Sequence, residues 1–200
     1  MAPTRVDPDA VIAFKDAKVF GKWLKANHAK VPELWLKFAK ADSGIASVTY
    51  AEALDEALCW GWIDGQKKSF DAQYWLQRFV PRGPKSIWSK INRDHTERLT
   101  NEGRMQPQGQ AQIDVAMADG RWDKAYDGAS KMEIPDDLLS AIEAEPKALE
   151  LFLKLNSQNR FSLAFRVHNM KTEAGRKKKI EGFVEMLKRG ETIYPNGKGK

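Results

Sequence analysis

Residues 49–81 decide the fold, and they read TYAEALDEALCWGWIDGQKKSFDAQYWLQRFVP. Thr49 and Glu52 stand at the spacing of a capping box, in which each side chain pairs with a backbone N–H of the other residue. This pair predicts a helix that starts at Tyr50 and is ended by Gly61, because glycine tolerates the backbone conformation that closes a helix. Two β-strand patterns then follow, separated by a turn around Asp71: residues 62–70 and residues 72–80.

The flanking sequence adds elements on both sides. On the N-terminal side, Asp16 is a predicted N-cap for an amphipathic helix, and residues 33–40 alternate as a half-buried strand does. On the C-terminal side, Ser89 caps a predicted helix, and strand patterns are absent beyond Gly128. Helical patterns alone continue from there, and they begin near Pro135, Pro146, Arg160 and Arg176.

We therefore predict an α+β fold, with a small antiparallel sheet packed with helices in the N-terminal two-thirds and an all-helical C-terminal module. The predicted boundary lies near Lys131, which gives an α+β domain over residues 1–131 and a helical module over residues 132–192. Residues 193–200 are predicted to form a flexible tail, because polar and glycine-rich ends of chains fray.

The composition is that of a folded domain without a disulfide. Hydrophobic residues make up 42% of the 200 residues and charged residues 30%, which excludes a disordered tail protein and a collagen-like fibre. The single cysteine, Cys59, cannot form an intramolecular disulfide, and this favours a reducing compartment. The first residues lack the apolar stretch of a secretory signal, and no run is long enough to span a bilayer. We expect a cytoplasmic protein that does not insert into membranes.

The net charge of +6 is unevenly distributed along the chain. Residues 160–200 hold eleven Lys and Arg against four Asp and Glu, and residues 65–104 hold nine against four. The rest of the chain is acidic, so anionic partners are expected only at the two basic stretches. Solvated helix faces are the alternative explanation of both stretches.

The common catalytic and metal-binding motifs are missing from the sequence. The three histidines lie far apart, and no phosphate-binding loop, dinucleotide fingerprint or nucleophile elbow occurs. We therefore predict no metal site and no cofactor. Cys59 is predicted to be a buried structural thiol, because it lies on the apolar side of its helix at the end that disfavours a thiolate. The adjacent carboxylates Asp55 and Glu56 are expected to point apart.

Tryptophan and arginine are concentrated between Cys59 and Asn92. Four of the seven tryptophans fall there, interleaved with basic residues, and this mixture suits cation–π stacking and anion recognition. It equally suits ordinary packing between a sheet and a helix. Asp64, in a Trp-Ile-Asp-Gly turn, either caps backbone amides or pairs with Arg78 or Arg82. The predicted ligand-binding residues are Trp60, Trp62, Asp64, Arg78, Arg82, Ser86, Trp88 and Asn92.

Segments spread along the chain carry a family pattern, most specifically ALCWGWIDG at residues 57–65 and QRFVPR at residues 77–82. The other segments are residues 23–24, 33–36, 50–53, 86–92, 103–105, 119–126 and 135–138. Together they resemble the YdeI/OmpD-associated, bacteriocin-protection-like family, in order and nearly end to end. That family's helical module tends to end in a Thr-Arg-x-Arg-Arg-Ile pattern, which residues 175–180 resemble with Gly175 in place of the capping threonine.

The resemblance implies the fold and a bacterial cytoplasmic origin. It also implies a role in stress or bacteriocin resistance. No reaction, cofactor or catalytic residue comes with it.

Three functions are compatible with these observations. The favoured one is a non-enzymatic binding module, whose Trp/Arg-lined cleft between the sheet and the helix capped by Ser89 holds a small anionic or aromatic ligand or a peptide. The second is nucleic-acid binding through basic helices, with cations at a helix start that the helix dipole disfavours. The third is an enzyme that uses Asp64 as acid or base beside Arg78 and Arg82. The residues predicted for nucleic-acid binding are Arg176, Lys177, Lys178, Lys179, Lys188 and Arg189.

Overall fold

Four strands form one sheet in the N-terminal part of the protein: Val11–Ala13 (β1), Leu34–Ala39 (β2), Trp62–Ser69 (β3) and Tyr74–Pro81 (β4). The computed structural model, which describes residues 6–129 and 131–197, places them in the order β1-β2-β4-β3. β2, β4 and β3 pair antiparallel as predicted, and β1 adds a short parallel edge on β2 that the sequence pattern missed. The predicted α+β class is confirmed.

Side-chain caps at Asp16, Thr49 and Ser89 start helices of this part where the sequence predicted them. The Asp16 side chain accepts a hydrogen bond from the Val19 amide at 2.8 Å, and Thr49 and Glu52 complete the capping box. Gly61 follows the second helix with a φ of 73°, a conformation that favours glycine. The helices are Ala17–Asn27 (α1), Tyr50–Cys59 (α2), Lys90–Asn101 (α3) and Pro107–Ala118 (α4).

One face of the sheet packs against α1 and α2. The register sets Leu34 opposite Phe79, and both side chains are fully buried in the same cluster as Trp62. Phe20 and Leu24 of α1 complete this cluster from the helical side. Burial of each such side chain contributes about 1.5–3 kcal/mol, so this face fixes the positions of β3 and β4.

The C-terminal part is built from helices around its own core. The chain divides into two compact units between Ala125 and Tyr126. We predicted this boundary near Lys131. None of the helices in the described ranges is long and apolar enough to cross a membrane. The helices of the C-terminal part are Asp136–Glu143 (α5), Pro146–Leu153 (α6), Ser157–His168 (α7) and Glu173–Lys188 (α8). Their core contains Leu138, Ile142, Phe152, Leu163, Val184 and Leu187.

The last helix begins three residues earlier than predicted. Its N-cap is Thr172, whose hydroxyl accepts a hydrogen bond from the Gly175 amide at 3.1 Å. Gly175 is therefore the third residue of α8, and a Cβ there would come within 2.9 Å of the Thr172 hydroxyl. Lysines 177–179 lie beyond the first turn, where the helix dipole has faded, so the predicted electrostatic cost of this basic run is wrong.

Residues 193–197, part of the tail predicted to be flexible, are anchored to α7. The Asn196 side chain accepts a hydrogen bond from the Asn156 amide at 2.8 Å and donates one to the Lys154 carbonyl at 3.0 Å. The Tyr194 amide donates to the side chain of the buried Asn159 at 3.0 Å. Residues 198–200 of that predicted tail lie outside the described ranges.

Candidate functional site

Two of the predicted ligand-binding tryptophans are core residues. Trp62 and Trp88 are 1% and 2% exposed, and they belong to different hydrophobic clusters. The Trp62 indole donates a hydrogen bond to the His28 carbonyl at 3.2 Å. Trp88 packs edge-on against Trp122, with ring centroids 5.0 Å apart. Each indole therefore fills space inside the fold.

Arg82 is buried against the ring of Trp88. Its guanidinium carbon lies 3.5 Å from the ring centroid, and its Nη1 donates to the Ile87 carbonyl at 3.3 Å. A cation–π contact of this kind contributes about 2 kcal/mol when it is shielded from water. The contact ties the end of β4 to the segment that leads into α3.

Ser86, Asn92 and Trp60 shape the backbone near these residues. The Ser86 hydroxyl accepts a hydrogen bond from the Gly83 amide at 3.0 Å, which closes a tight turn. The backbone N–H of Asn92 donates a hydrogen bond to the hydroxyl of Ser89, the N-cap of α3, at 3.1 Å. Trp60 is the half-buried C-cap residue of α2. Ser86 thus has a local structural role through its side chain, while Asn92 and Trp60 lie in the first turn of α3 and at the end of α2.

Within the described residues, Asp64 pairs with a tyrosine and not with either predicted arginine. Its carboxylate accepts a hydrogen bond from the Tyr50 hydroxyl at 2.8 Å. Asp64 lies opposite Phe79 in the sheet register, so the next residue, Arg78, projects from the other face. There Arg78 donates to the Glu33 carboxylate at 2.7 Å. The alternation of the strand therefore separates the groups on which the enzyme hypothesis relied.

An ionic network that the sequence did not reveal joins α2 to α3. The Arg98 Nη2 atom lies 2.7 Å from both carboxylate oxygens of Asp55, and the His95 Nδ1 atom lies 2.9 Å from one of them. Arg104 bridges Asp55 and Glu56, with nitrogen–oxygen distances of 3.7 and 2.9 Å. The two carboxylates were expected to point apart, yet both reach Arg104 because a guanidinium offers several N–H donors. Within the described residues, no cluster of His, Cys, Asp and Glu could hold a metal ion.

We expect Asp55→Asn to lower the free energy of unfolding at neutral pH by about 2 kcal/mol. The same change should make the free energy of unfolding fall less steeply as the solution becomes acidic. Burial opposes ionisation of Asp55, but hydrogen bonds from Arg98 and His95 outweigh it, so the pKa of this carboxyl lies below its ordinary value. A lowered pKa contributes stability above about pH 4, and this contribution disappears as the pH falls through the folded-state pKa.

Urea unfolding between about pH 6 and pH 3, followed by tryptophan fluorescence, measures this effect. Asp119→Asn is the control, because it makes the same change in the same unit, and the exposed Asp119 carboxylate forms an ion pair with Arg121 that contributes little. If the free energy of unfolding fell equally steeply with decreasing pH in wild type and in Asp55→Asn, the prediction would be contradicted.

Cys59 is a buried thiol at the end of α2. It is 2% exposed, and burial together with the neighbouring Glu56 carboxylate raises the pKa of the thiol to about 12. Such a thiol stays protonated at neutral pH and is a poor nucleophile. The predicted burial of Cys59 is confirmed.

The residues predicted to contact nucleic acid fall into two classes. Three of them form ion pairs with nitrogen–oxygen distances of 2.8–2.9 Å: Arg176 with Asp137, Lys188 with Glu185, and Arg189 with Glu191. Within the described ranges, lysines 177–179 form no ion pair. The Nζ atom of Lys179 lies 5.8 Å from the ring centroid of Phe183.

Two of these lysines border a groove of about 590 Å³ that runs along α8. Phe183 and Met186 form its apolar floor, and Met170 lies at the end nearest Gly175. We call it the α8 groove, and its lining on the helix is Gly175, Lys178, Lys179, Gly182, Phe183 and Met186. Arg189 and Glu191 lie at the other end. It is an apolar surface with a basic border, which suits an acidic amphipathic ligand.

A second cavity of about 560 Å³ in the same part of the chain has charges of both signs. Lys131, His168 and Arg176 face it together with Glu133 and Asp136. This mixture selects neither anions nor cations, so the α8 groove is the better candidate.

Sequence reasoning found the basic residues of α8 but missed the apolar floor. Phe183 was assigned to the buried stripe of the helix, and it is indeed 6% exposed, but its edge also lines the groove. The sequence did contain a signal for this second face of the helix: a strip at helical spacing formed by Gly175, Lys179, Gly182 and Met186.

Family models match two parts of the chain. Residues 12–112 match the family described as Domain of unknown function (DUF8412), and residues 131–190 match the family described as Bacteriocin-protection, YdeI or OmpD-Associated. The first match covers half of the chain, so the chain belongs to that family, and residues 131–190 are similar to the second family. The predicted YdeI/OmpD-associated resemblance is thereby confirmed over residues 131–190, whereas the tryptophan-rich segment lies within the other match. Neither a curated protein nor a solved structure matches the chain.

The α8 groove lies within the YdeI/OmpD-associated region, except for the last lining residue, Glu191. The ionic network of α2 and α3 lies within the region of the other family. The candidate binding surface and the tryptophan–arginine block thus belong to different family domains.

Proposed function

We propose that this YdeI/OmpD-associated protein is a non-enzymatic binding protein that holds an acidic segment of a partner protein in the α8 groove. The observation that carries the proposal is the combination of an apolar floor and a basic border in one groove of about 590 Å³. An apolar floor provides affinity, and a charged border selects the sign of the partner. We place this function in the cytoplasm and connect it, through the family description, to protection against bacteriocins or other stress.

The tryptophan–arginine block supports the fold of the N-terminal part. A cleft for a small anionic or aromatic ligand needs an indole surface open to solvent, whereas Trp62 and Trp88 are 1% and 2% exposed. Arg82 covers the ring of Trp88, and Arg78 is engaged with Glu33. Our proposal therefore keeps the predicted preference for an anionic ligand and moves it to the C-terminal helices.

Nucleic-acid binding is the alternative role of the same basic residues. Phosphate contacts depend on cations whose counterions are released on binding. Arg176, Lys188 and Arg189 are held by carboxylates, so the run of lysines 177–179 would supply most of such contacts. A phosphate backbone would use all three lysines. An occupant of the α8 groove would use Lys178 and Lys179 but not Lys177, which does not line it.

We expect Lys178→Glu to weaken binding of an acidic peptide by about tenfold, and Lys177→Glu by less than about threefold. The two charge reversals are one residue apart on the same exposed helix, and only Lys178 borders the groove. The probe is a fluorescein-labelled amphipathic peptide of about 20 residues, with Leu on one face and Glu on the flanks. Fluorescence anisotropy at about 100 mM salt, where long-range attraction is screened, measures the dissociation constants.

A labelled single-stranded DNA of about 20 nucleotides is titrated in parallel. Equal losses of DNA affinity in both variants, with DNA bound more tightly than the peptide, would assign the lysines to nucleic acid. Peptide binding that is independent of Lys178 would overturn docking in the groove.

A further inference from the structure

The lining of the α8 groove has the spacing of a helix–helix seam. Gly175, Lys179, Gly182, Met186 and Arg189 follow one another at intervals of four, three, four and three residues. Side chains at these intervals form one continuous strip that matches the strip of a second helix at a crossing angle of about 20°. We infer that the occupant of the groove is itself an acidic α-helix, with a large apolar side chain seated over Gly182, and this inference rests on the proposed function.

Gly182 is the observation that points to a close neighbour. It lies in the interior of α8, where glycine weakens a helix relative to alanine. Other helical glycines have a steric reason: a Cβ at Gly109 would come within 2.6 Å of the Met105 sulfur, and one at Gly175 within 2.9 Å of the Thr172 hydroxyl. A Cβ at Gly182 would meet no atom within 4 Å. The packing of the described residues gives no reason for this glycine, whereas close approach of an external helix does.

The shape of the groove favours a helix over an extended peptide. The strip from residue 175 to residue 189 spans about 21 Å, the length of four helical turns. The groove is lined by the side chains of a helix, and a helix offers no open strand edge with which an extended peptide could pair. A helical occupant satisfies its own backbone N–H and C=O groups, so it needs only side-chain contacts. Met186 on the floor and Met170 at the end of the groove are flexible side chains that adapt to different apolar side chains.

The charges of the groove select an acidic helix over a second copy of this chain. Lys178 and Lys179 border the floor, while the charge of Arg189 is balanced by Glu191 at 2.9 Å. Two copies packed in parallel through this face would bring lysines against lysines, which is unfavourable. Glutamates on the flanks of a partner helix would pair with Lys178 and Lys179, which lie about one turn before Gly182.

The test compares Gly182→Leu with Glu181→Leu in the full chain. Both changes place a leucine on exposed helix surface, but only the first fills the floor of the groove. The probe is the acidic amphipathic peptide described above, which we call the seam peptide. A second peptide, the scrambled peptide, has the same composition, but its leucines do not lie on one face of the helix. We expect Gly182→Leu to weaken binding of the seam peptide about tenfold, while Glu181→Leu changes it less than about twofold. The scrambled peptide should bind wild type about tenfold more weakly than the seam peptide.

Far-UV circular dichroism shows whether each variant keeps its helices, and Gly182→Ala provides a smaller filling that should retain most of the affinity. If the scrambled peptide binds as well as the seam peptide and still depends on Lys178, acidic docking stands and the helical occupant is refuted. If neither peptide depends on Lys178, both proposals fail. A wild-type dimer in sedimentation experiments that Gly182→Leu dissociates would identify the occupant as a second copy and overturn the acidic partner.

Discussion

Replacement of Gly109 by alanine is expected to lower the free energy of unfolding of the N-terminal unit by about 3 kcal/mol. Gly109 lies in the first turn of α4, pressed against the end of α2. A Cβ at this position would overlap the Cys59 carbonyl oxygen and lie 2.6 Å from the Met105 sulfur. The carbonyl belongs to the backbone and cannot rotate away, so α4 would have to shift. Urea unfolding followed by tryptophan fluorescence measures the loss, because all seven tryptophans lie in the N-terminal unit.

Gly182→Ala is the matched control, since it makes the same chemical change in another helix. A Cβ there meets nothing within 4 Å, so only the backbone effect remains, and we expect a gain of about 1 kcal/mol in the C-terminal unit. Far-UV circular dichroism follows the helices of both units, so a transition that it shows and tryptophan fluorescence does not show belongs to this unit, which contains no tryptophan. Equal effects of the same sign in the two variants would show that steric contact at Gly109 is unimportant.

Trp62→Ala is expected to destabilise the N-terminal unit by about 3–5 kcal/mol, enough to unfold a domain of ordinary stability. The indole is 1% exposed, packs edge-on against Trp23 with ring centroids 6.1 Å apart, and donates to the His28 carbonyl. Its removal leaves a cavity and an unpaired carbonyl. The melting of the unit, measured by circular dichroism and differential scanning calorimetry, tests the prediction.

Trp60→Ala serves as the neighbouring control. Trp60 is only half-buried and packs at a tilt against the His28 ring, with ring centroids 4.8 Å apart, so we expect a smaller loss of about 1–2 kcal/mol. If Trp62→Ala were as mild as Trp60→Ala, Trp62 would not be the core residue that its burial indicates, and a ligand-binding role would deserve a new test.

Much of the N-terminal fold was predictable because its determinants are local. The capping box of Thr49 and Glu52, the turn at Gly61 and the alternation of β2 each act within a few residues. β1 was missed because three residues are too few to display a period of two. The start of α8 was misplaced because a family pattern drew the cap to Gly175, whereas the Thr172 hydroxyl supplies it.

The site was less predictable because its contacts join distant parts of the sequence. Arg78 reaches Glu33, which is 45 residues away, and that contact cannot be deduced from the spacing near Asp64. The basic residues of α8 were visible in the sequence, but their ion pairs were not. The groove itself depends on which side of α8 the other helices leave open around Gly182, and this is a property of packing that helical periodicity alone does not define.

The unreactive thiol of Cys59 has a practical consequence for locating the occupant of α8. Because Cys59 is the single cysteine of the chain and its pKa is raised to about 12, maleimides applied near neutral pH will spare it. Glu181→Cys would then carry the sole attachment point for a spin label or photo-crosslinker. Distances from the spin label, and adducts formed by the crosslinker, would then locate the bound partner on α8 in a chain with one substitution.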